Sequence, residues 1–356
     1  SLTPAAIGRH NPRLSCSLCC SAALSRHRPA RCLSTASVAA DGLCRRRSYC
    51  SAALHALDWQ PLDSSPRPVQ ALFSPDRGEE CGASWTRVPK LWQKTGEGAV
   101  LLRAHGIVPP EVCEAVWDLV PRLSFDRDAD SVDGAPTFEL RWARGGRFTH
   151  DGLSALLAET VEERLLPLLR RSPLCDKGSE LVLCEALVRY YEDGRRRVHP
   201  AHFDADALVT AVFEVSPPDG FEGGFYVQPG AHVSSRLPVR LEAGEVVAHS
   251  FDLQHGVEVS SGTRCSLILW FADSAAACKD KSRPWYERAA ANGSVDALYN
   301  LAKSRRVDDP RSSLRGMREA AEAGHFMAQN DLVRGQSSSN SSSGSGSSSS
   351  SGSGSG

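Results

Sequence analysis

The chain has 356 residues, of which 41 are Lys or Arg and 42 Asp or Glu, for a net charge of −1. That length allows one substantial domain with appendages, and so even a balance gives no overall pull towards nucleic acid or an acidic membrane surface. No apolar run approaches the roughly eighteen residues that argue for a membrane-spanning helix.

The charge is unevenly spread. Residues 1–56 carry eight arginines against one acid, Asp41, so this segment is +7 and the remainder −8. Rich in Arg, Ser and Ala, and without the continuous apolar core of a secretory signal, it has the composition of a mitochondrial or plastid transit peptide. The alternatives are a disordered tail or a misplaced start, since the chain opens on Ser1; either leaves a cytoplasmic protein. Cys16 and Cys19 have a C-x2-C spacing, but no matching second pair follows, so zinc is not expected. Six further cysteines are scattered beyond this segment, which predicts reduced thiols rather than a disulfide framework. Residues 57–97, with Pro61, Pro66, Pro68 and Pro75 and little periodicity, read as a linker.

The folded part is expected from residue 98. Ala99 to Val108 reads as a strand, and Pro109-Pro110-Glu111 starts a helix through Leu123. Leu153, Leu156, Leu157, Val161, Leu165, Leu168 and Leu169 form the apolar stripe of a second helix over 151–171. Strands are predicted over 181–191, 208–215, 246–251, 257–259 and 264–271. Turn signals such as Asp193-Gly194 and Glu242-Ala243-Gly244 separate them. Many short strands of this kind imply a doubled antiparallel sheet, so the fold class is α+β: a jelly-roll core, also called a double-stranded β-helix, with buttressing helices.

One stretch carries chemistry. In His202-Phe203-Asp204 the first and third residues are expected on one face of a strand. His255 completes the set if its strand lies across from the first. Two imidazoles and one carboxylate on one face of a metal leave other positions open, the facial triad of non-haem Fe(II) oxygenases. Nine residues on, Arg264 begins a strand on which Ser266, Ile268 and Trp270 share its face. A guanidinium grips a carboxylate in a fork, and Ser266 adds a hydroxyl beside it. Trp270 is either core or a border of the substrate site. His199, His232 and His249 read as ordinary satisfied histidines. The run Arg195, Arg196 and Arg197 is either a solvated turn or a basic lip for an acidic peptide.

These residues resemble an iron- and 2-oxoglutarate-dependent dioxygenase of the prolyl 4-hydroxylase-like type. The likeness extends over roughly ninety residues. Val188 to Gly194 resembles the family's Tyr-containing strand and Gly turn, Phe221 to Phe225 its Gly-Gly strand, and Glu242 to His249 the turn before the distal histidine. The resemblance implies Fe(II) on His202, Asp204 and His255, with 2-oxoglutarate as cosubstrate held by Arg264, Ser266 and Tyr191 (or Tyr190 in its place). Hydroxylation of a C–H bond is then coupled to release of succinate and CO2, with L-ascorbate sustaining the iron. Trp270 at six residues past Arg264 resembles prolyl hydroxylases rather than nucleic-acid demethylases, which favours a prolyl residue of a peptide or protein substrate over a nucleobase or small metabolite. Some relatives place a tyrosine on the central strand, where this chain reads Thr210-Ala211-Val212-Phe213-Glu214. A non-catalytic metal-binding adaptor is the other class of reading.

After the dioxygenase domain, assigned to 98–274, Ala290, Gly293, Ala297 and Leu301 recur 31 residues later as Ala321, Gly324, Ala328 and Leu332. Residues 282–334 resemble Sel1-like helical repeats, which implies either a contact surface for a protein partner or a helical cap on the barrel. Residues 335–356 form a Ser/Gly low-complexity tail.

Overall fold

The computed structural model describes residues 82–93, 98–175, 180–280 and 282–342, with side chains up to 334. The N-terminal segment, its cysteines and most of the Ser/Gly tail lie outside the described residues.

Two antiparallel sheets face each other, eight strands against four. From β5 (Val182–Tyr191) onwards the chain alternates between them. β5, β7 (Val209–Glu214), β10 (Val246–Ser250) and β12 (Arg264–Ala272) run in the large sheet. β6 (Val198–His202), β8 (Phe221–Val227), β9 (Leu237–Pro238) and β11 (His255–Gly262) form the small one. That alternation is jelly-roll winding, and the large sheet runs β10-β7-β12-β5 through its centre. β7 is buried along its whole length, as its run of apolar residues requires.

The period of two in β12 separates two cores. Cys265, Leu267, Leu269 and Phe271 point away from the small sheet and pack with Leu153, Leu157 and Leu165 of the outer helices. α1 (Pro110–Leu119) starts at the predicted proline and gives way to a tighter turn, Val120–Arg122, around Pro121. The second helix is continuous from α2 (Asp151–Glu159) to α3 (Leu166–Arg171). A wider π-helical turn, Thr160–Leu165, joins them, just before Pro167, which has no N–H to donate. The interior between the sheets is lined by Val212, Phe225, Val227, Leu241 and Val247.

Two expectations are corrected. Part of the presumed linker, Ala83–Val88, is strand β1. It pairs with β2 (Ala99–Ala104) from Ala83↔Ala104 to Val88↔Ala99. Backbone pairing at a sheet edge holds it, together with Trp85 packed on the outer core and Val88 buried in the inner one. Cys184 of β5 and Cys278 of α4 (Ala275–Asp280) are joined in a disulfide across 94 residues. Spacing along the chain gave no sign of it; β5–β12 pairing brings the two together. Cys113 and Cys265 are buried thiols.

The C-terminal region forms helices α5 (Pro284–Ala291), α6 (Val295–Ser304), α7 (Pro310–Glu322) and α8 (Phe326–Ser342). Gly293 and Gly324 occupy equivalent turns with φ of +89° and +98°, conformations that favour glycine. Gly293 joins α5 to α6 and Gly324 joins α7 to α8. Trp285 and Tyr286 of α5 are buried against Cys184 and Ala272 of the barrel.

Candidate metal centre

β6 and β11 pair in a register that sets His202 directly opposite His255. Each ring directs Nδ1 at a backbone carbonyl, His202 at Pro200 (2.8 Å) and His255 at Leu253 (3.1 Å). A carbonyl only accepts, so each Nδ1 carries the hydrogen and each Nε2 presents its lone pair. Both lone pairs face Asp204: His202 Nε2 is 3.4 Å from Oδ1, and His255 Nε2 3.5 Å from Oδ2. Ligand atoms of the three residues lie within 4.8 Å of one another, so they fit a common divalent ion.

Asp204 is not on the strand with His202, as the sequence suggested. β6 ends where its pairing with β11 ends, at His202, and Asp204 occupies the turn that follows. There the Thr210 hydroxyl donates to its Oδ2 at 2.6 Å. Burial, with His249 as a neighbour, lowers His255 and keeps it in the neutral form a metal needs.

Two further histidines extend the row. Ring centres are 4.1 Å apart for His199–His202, 4.5 Å for His202–His255 and 4.2 Å for His255–His249. His199 takes a hydrogen bond at Nδ1 from Arg196 (2.8 Å), so its hydrogen is on Nε2. His249, fully buried, uses Nδ1 on the Ser250 carbonyl (3.0 Å), while its Nε2 lies 3.8 Å from Asp204 Oδ2 without a hydrogen-bond partner. The reading of His249 as an ordinary satisfied histidine is thus corrected. His232, which is exposed, does meet that reading: it caps a short turn, accepting from Ser234 N.

Behind the triad, β12 pairs with β5 so that Arg264 sits opposite Tyr191 and Ser266 opposite Arg189. Arg264 is fully buried. Its Nε donates to Glu214 Oε2 (2.8 Å) and one terminal nitrogen to Ser266 Oγ (3.4 Å). The other terminal nitrogen, Nη2, has no partner, and neither has the buried Tyr191 hydroxyl. The Tyr191 and Phe221 rings lie 5.7 and 5.8 Å from the guanidinium carbon. Gly224 leaves room beside it: a Cβ there would meet the Phe221 ring at 3.2 Å and Arg264 Nε at 3.8 Å.

A cavity opens from the triad between the sheets, lined by Tyr191, His202, Asp204, His255, Ser266 and Trp270. Trp270 therefore borders the site. Tyr190 faces the other way, its ring stacked on Phe125. Arg189 also lines the cavity and is tied to Glu139 (3.0 Å) and Asp130 (3.3 Å). The run 195–197 offers no open basic lip: Arg195 pairs with Glu192, Arg196 with Asp130 and Asp133, and Arg197 with Asp193. The sequence reading missed Arg189, Glu214 and Thr210, although the period of two places Arg189 on the face of Tyr191.

No family model and no curated protein matches the chain. Solved structures do. A 2OG-Fe(II) oxygenase family oxidoreductase from Burkholderia pseudomallei shares 15% identity, with 55% of this chain and 86% of that one covered and a TM-score of 0.37. A Pseudomonas putida prolyl-4-hydroxylase shares 17% over 49% of this chain and 92% of its own, with a TM-score of 0.37. A Trichoplax adhaerens prolyl hydroxylase, solved with a hypoxia inducible factor peptide fragment, shares 14% over 51% and 86%, with a TM-score of 0.40. At these values the likeness carries no weight for activity, and function has to be argued from the residues.

Proposed function

We propose that the chain is an Fe(II)- and 2-oxoglutarate-dependent dioxygenase that hydroxylates a C–H bond, with a prolyl residue of a protein as substrate. The observation that carries this reading is a triad opening on a cavity that Tyr191 and Ser266 also line, with Arg264 buried behind them and bonded to Ser266. A neutral-imidazole, carboxylate triad faces inward, and behind it Arg264 Nη2 and the Tyr191 hydroxyl stand buried without partners. Buried donors of this kind call for an acceptor, and a dicarboxylic oxo acid reaching from the triad supplies one at its far carboxylate.

His202, Asp204 and His255 would hold the iron, which supplies oxygen activation when bound. The chain's own part is positional. The Pro200 and Leu253 carbonyls fix the two imidazoles, Thr210 fixes Asp204, and Arg264 with Ser266 and Tyr191 holds the cosubstrate carboxylate. Val212, Phe225 and Trp270 exclude water around the reacting centre. The prolyl assignment rests on the sequence resemblance at Trp270, which borders the cavity.

The test is succinate formation from 2-oxoglutarate by anaerobically purified protein given Fe(II), L-ascorbate and O2, with His202→Ala as the blank. Iron-dependent turnover, stimulated by a proline-containing peptide pool, is expected. Stimulation by small metabolites alone would move the substrate to that class. No turnover from folded, iron-loaded protein would leave the adaptor reading.

A further inference from the structure

The C-terminal helices reach both loops that present the metal ligands. Asp204 sits in a turn rather than on a strand, and apart from Thr210 the turn's own closure is one bond, Ala207 N to Asp204 O (3.2 Å). Its flanking residues are held from outside the barrel. The Tyr286 hydroxyl of α5 donates to the Ala205 carbonyl at 2.9 Å, Arg283 pairs with Asp206, and the Phe203 ring packs on His325 (6.2 Å) and Trp92 (6.4 Å). The second loop, which turns Leu253 O towards His255, is held likewise. Phe251 meets the Tyr286 ring edge-on at 5.1 Å, and Lys90 bridges Asp252 to Asp296 of α6, 2.5 Å from each.

Asp296 is the hub of this contact. Fully buried, it also accepts from Trp92 Nε1 (3.1 Å) and Gln93 (3.0 Å) and lies 3.1 Å from His325 Nε2. A buried carboxylate with this many partners is costly to break. Neither role implied by the sequence for these helices, a partner surface or a plain cap, requires a bond to the backbone beside a ligand.

We infer that helices α5 to α8 are a positioning element of the metal centre, with Tyr286 and Asp296 as positioning residues that hold Asp204 and His255 in ligand geometry. The inference rests on the metal reading proposed above. Tyr286→Phe removes one hydroxyl and keeps the ring, so the loop loses its tie while the helix keeps its packing.

The experiment uses the full chain and Co(II) as probe. Calorimetry gives the dissociation constant, thermal melting of the metal-free protein gives stability, and hydrogen exchange follows amides 203–207. Tyr286→Phe and Asp296→Asn should each weaken Co(II) about tenfold or more, as for other groups that orient ligands. Exchange at 203–207 should rise, and Arg318→Ala on the exposed face of α7 should change neither. Unchanged Co(II) affinity in a folded Tyr286→Phe protein, with only its melting temperature lowered, would overturn the inference. If Asp296→Asn does not fold, Arg283→Ala, which frees Asp206 at the surface, takes its place with the same expectation. Native protein that binds Co(II) no better than His202→Ala would instead sink the metal reading.

Discussion

Arg264 gives its Nε to the carboxylate of Glu214 at 2.8 Å, deep beneath the triad. Glu214 ends the central strand β7. One edge of the guanidinium is thereby engaged, and the other remains for a ligand. A second carboxylate arriving there meets the charge of the first. Glu214→Gln keeps an oxygen for Nε and removes that charge. We expect 2-oxoglutarate to bind about three- to tenfold tighter, or about 1 kcal/mol, measured by calorimetry in the presence of Mn(II). Weaker binding would show that Glu214 serves mainly to orient Arg264.

Arg264→Lys keeps a charge but loses the fork. We expect the KM for 2-oxoglutarate to rise at least tenfold, about 1.4 kcal/mol, with Co(II) affinity unchanged, because Arg264 takes no part in the triad. Equal loss of both would mean that the strand had shifted.

Acid stability should follow three histidines. Burial lowers His199, His249 and His255 below the ordinary histidine value. The folded state therefore binds fewer protons than the unfolded one once the pH drops below about 6.5. Their stabilisation is full above that pH and is lost as the pH falls through it, at up to about 1.4 kcal/mol per pH unit for each group. Urea titrations of metal-free protein between pH 7.5 and 5.5 should show this decline. His199→Asn should flatten it, and a slope that it leaves untouched would show that His199 does not contribute.

Reduction should loosen the molecule. The Cys184–Cys278 bond closes a long loop, and such links commonly contribute about 2–4 kcal/mol. Cys278→Ser should lower the free energy of denaturant unfolding by that amount under oxidising conditions and change nothing once dithiothreitol is present.

How legible all this was depends on whether a feature is local. His202, Asp204 and His255 stood out because residue type, order and neighbouring turns agree along the chain. Alternation alone placed Arg264, Ser266 and Trp270 on one face of β12. The wrong detail, a strand carrying both His202 and Asp204, arose because strand ends are set by where pairing stops, and pairing is not written in β6 itself. Glu214, His249 and the disulfide were hidden for the same reason. Each acquires its meaning from a partner 45 to 94 residues away, and a buried charge or imidazole looks like any other until that partner arrives. β1 escaped notice because its six residues mix apolar and polar types, and the pairing with β2 that makes them a strand is not written in them.

The bond between Cys184 and Cys278 also makes a covalent ring, and every residue assigned to the iron lies inside it, as do Arg264 and Tyr191. A protease that nicks the ring once, anywhere between the two cysteines, yields two pieces that still travel as one molecule. Under reduction the two pieces are no longer linked, and a cut between His202 and His255 divides the ligand set between them. Oxidation state thus decides whether a nicked chain retains its whole site, and nicked samples run with and without reductant would report the ring directly.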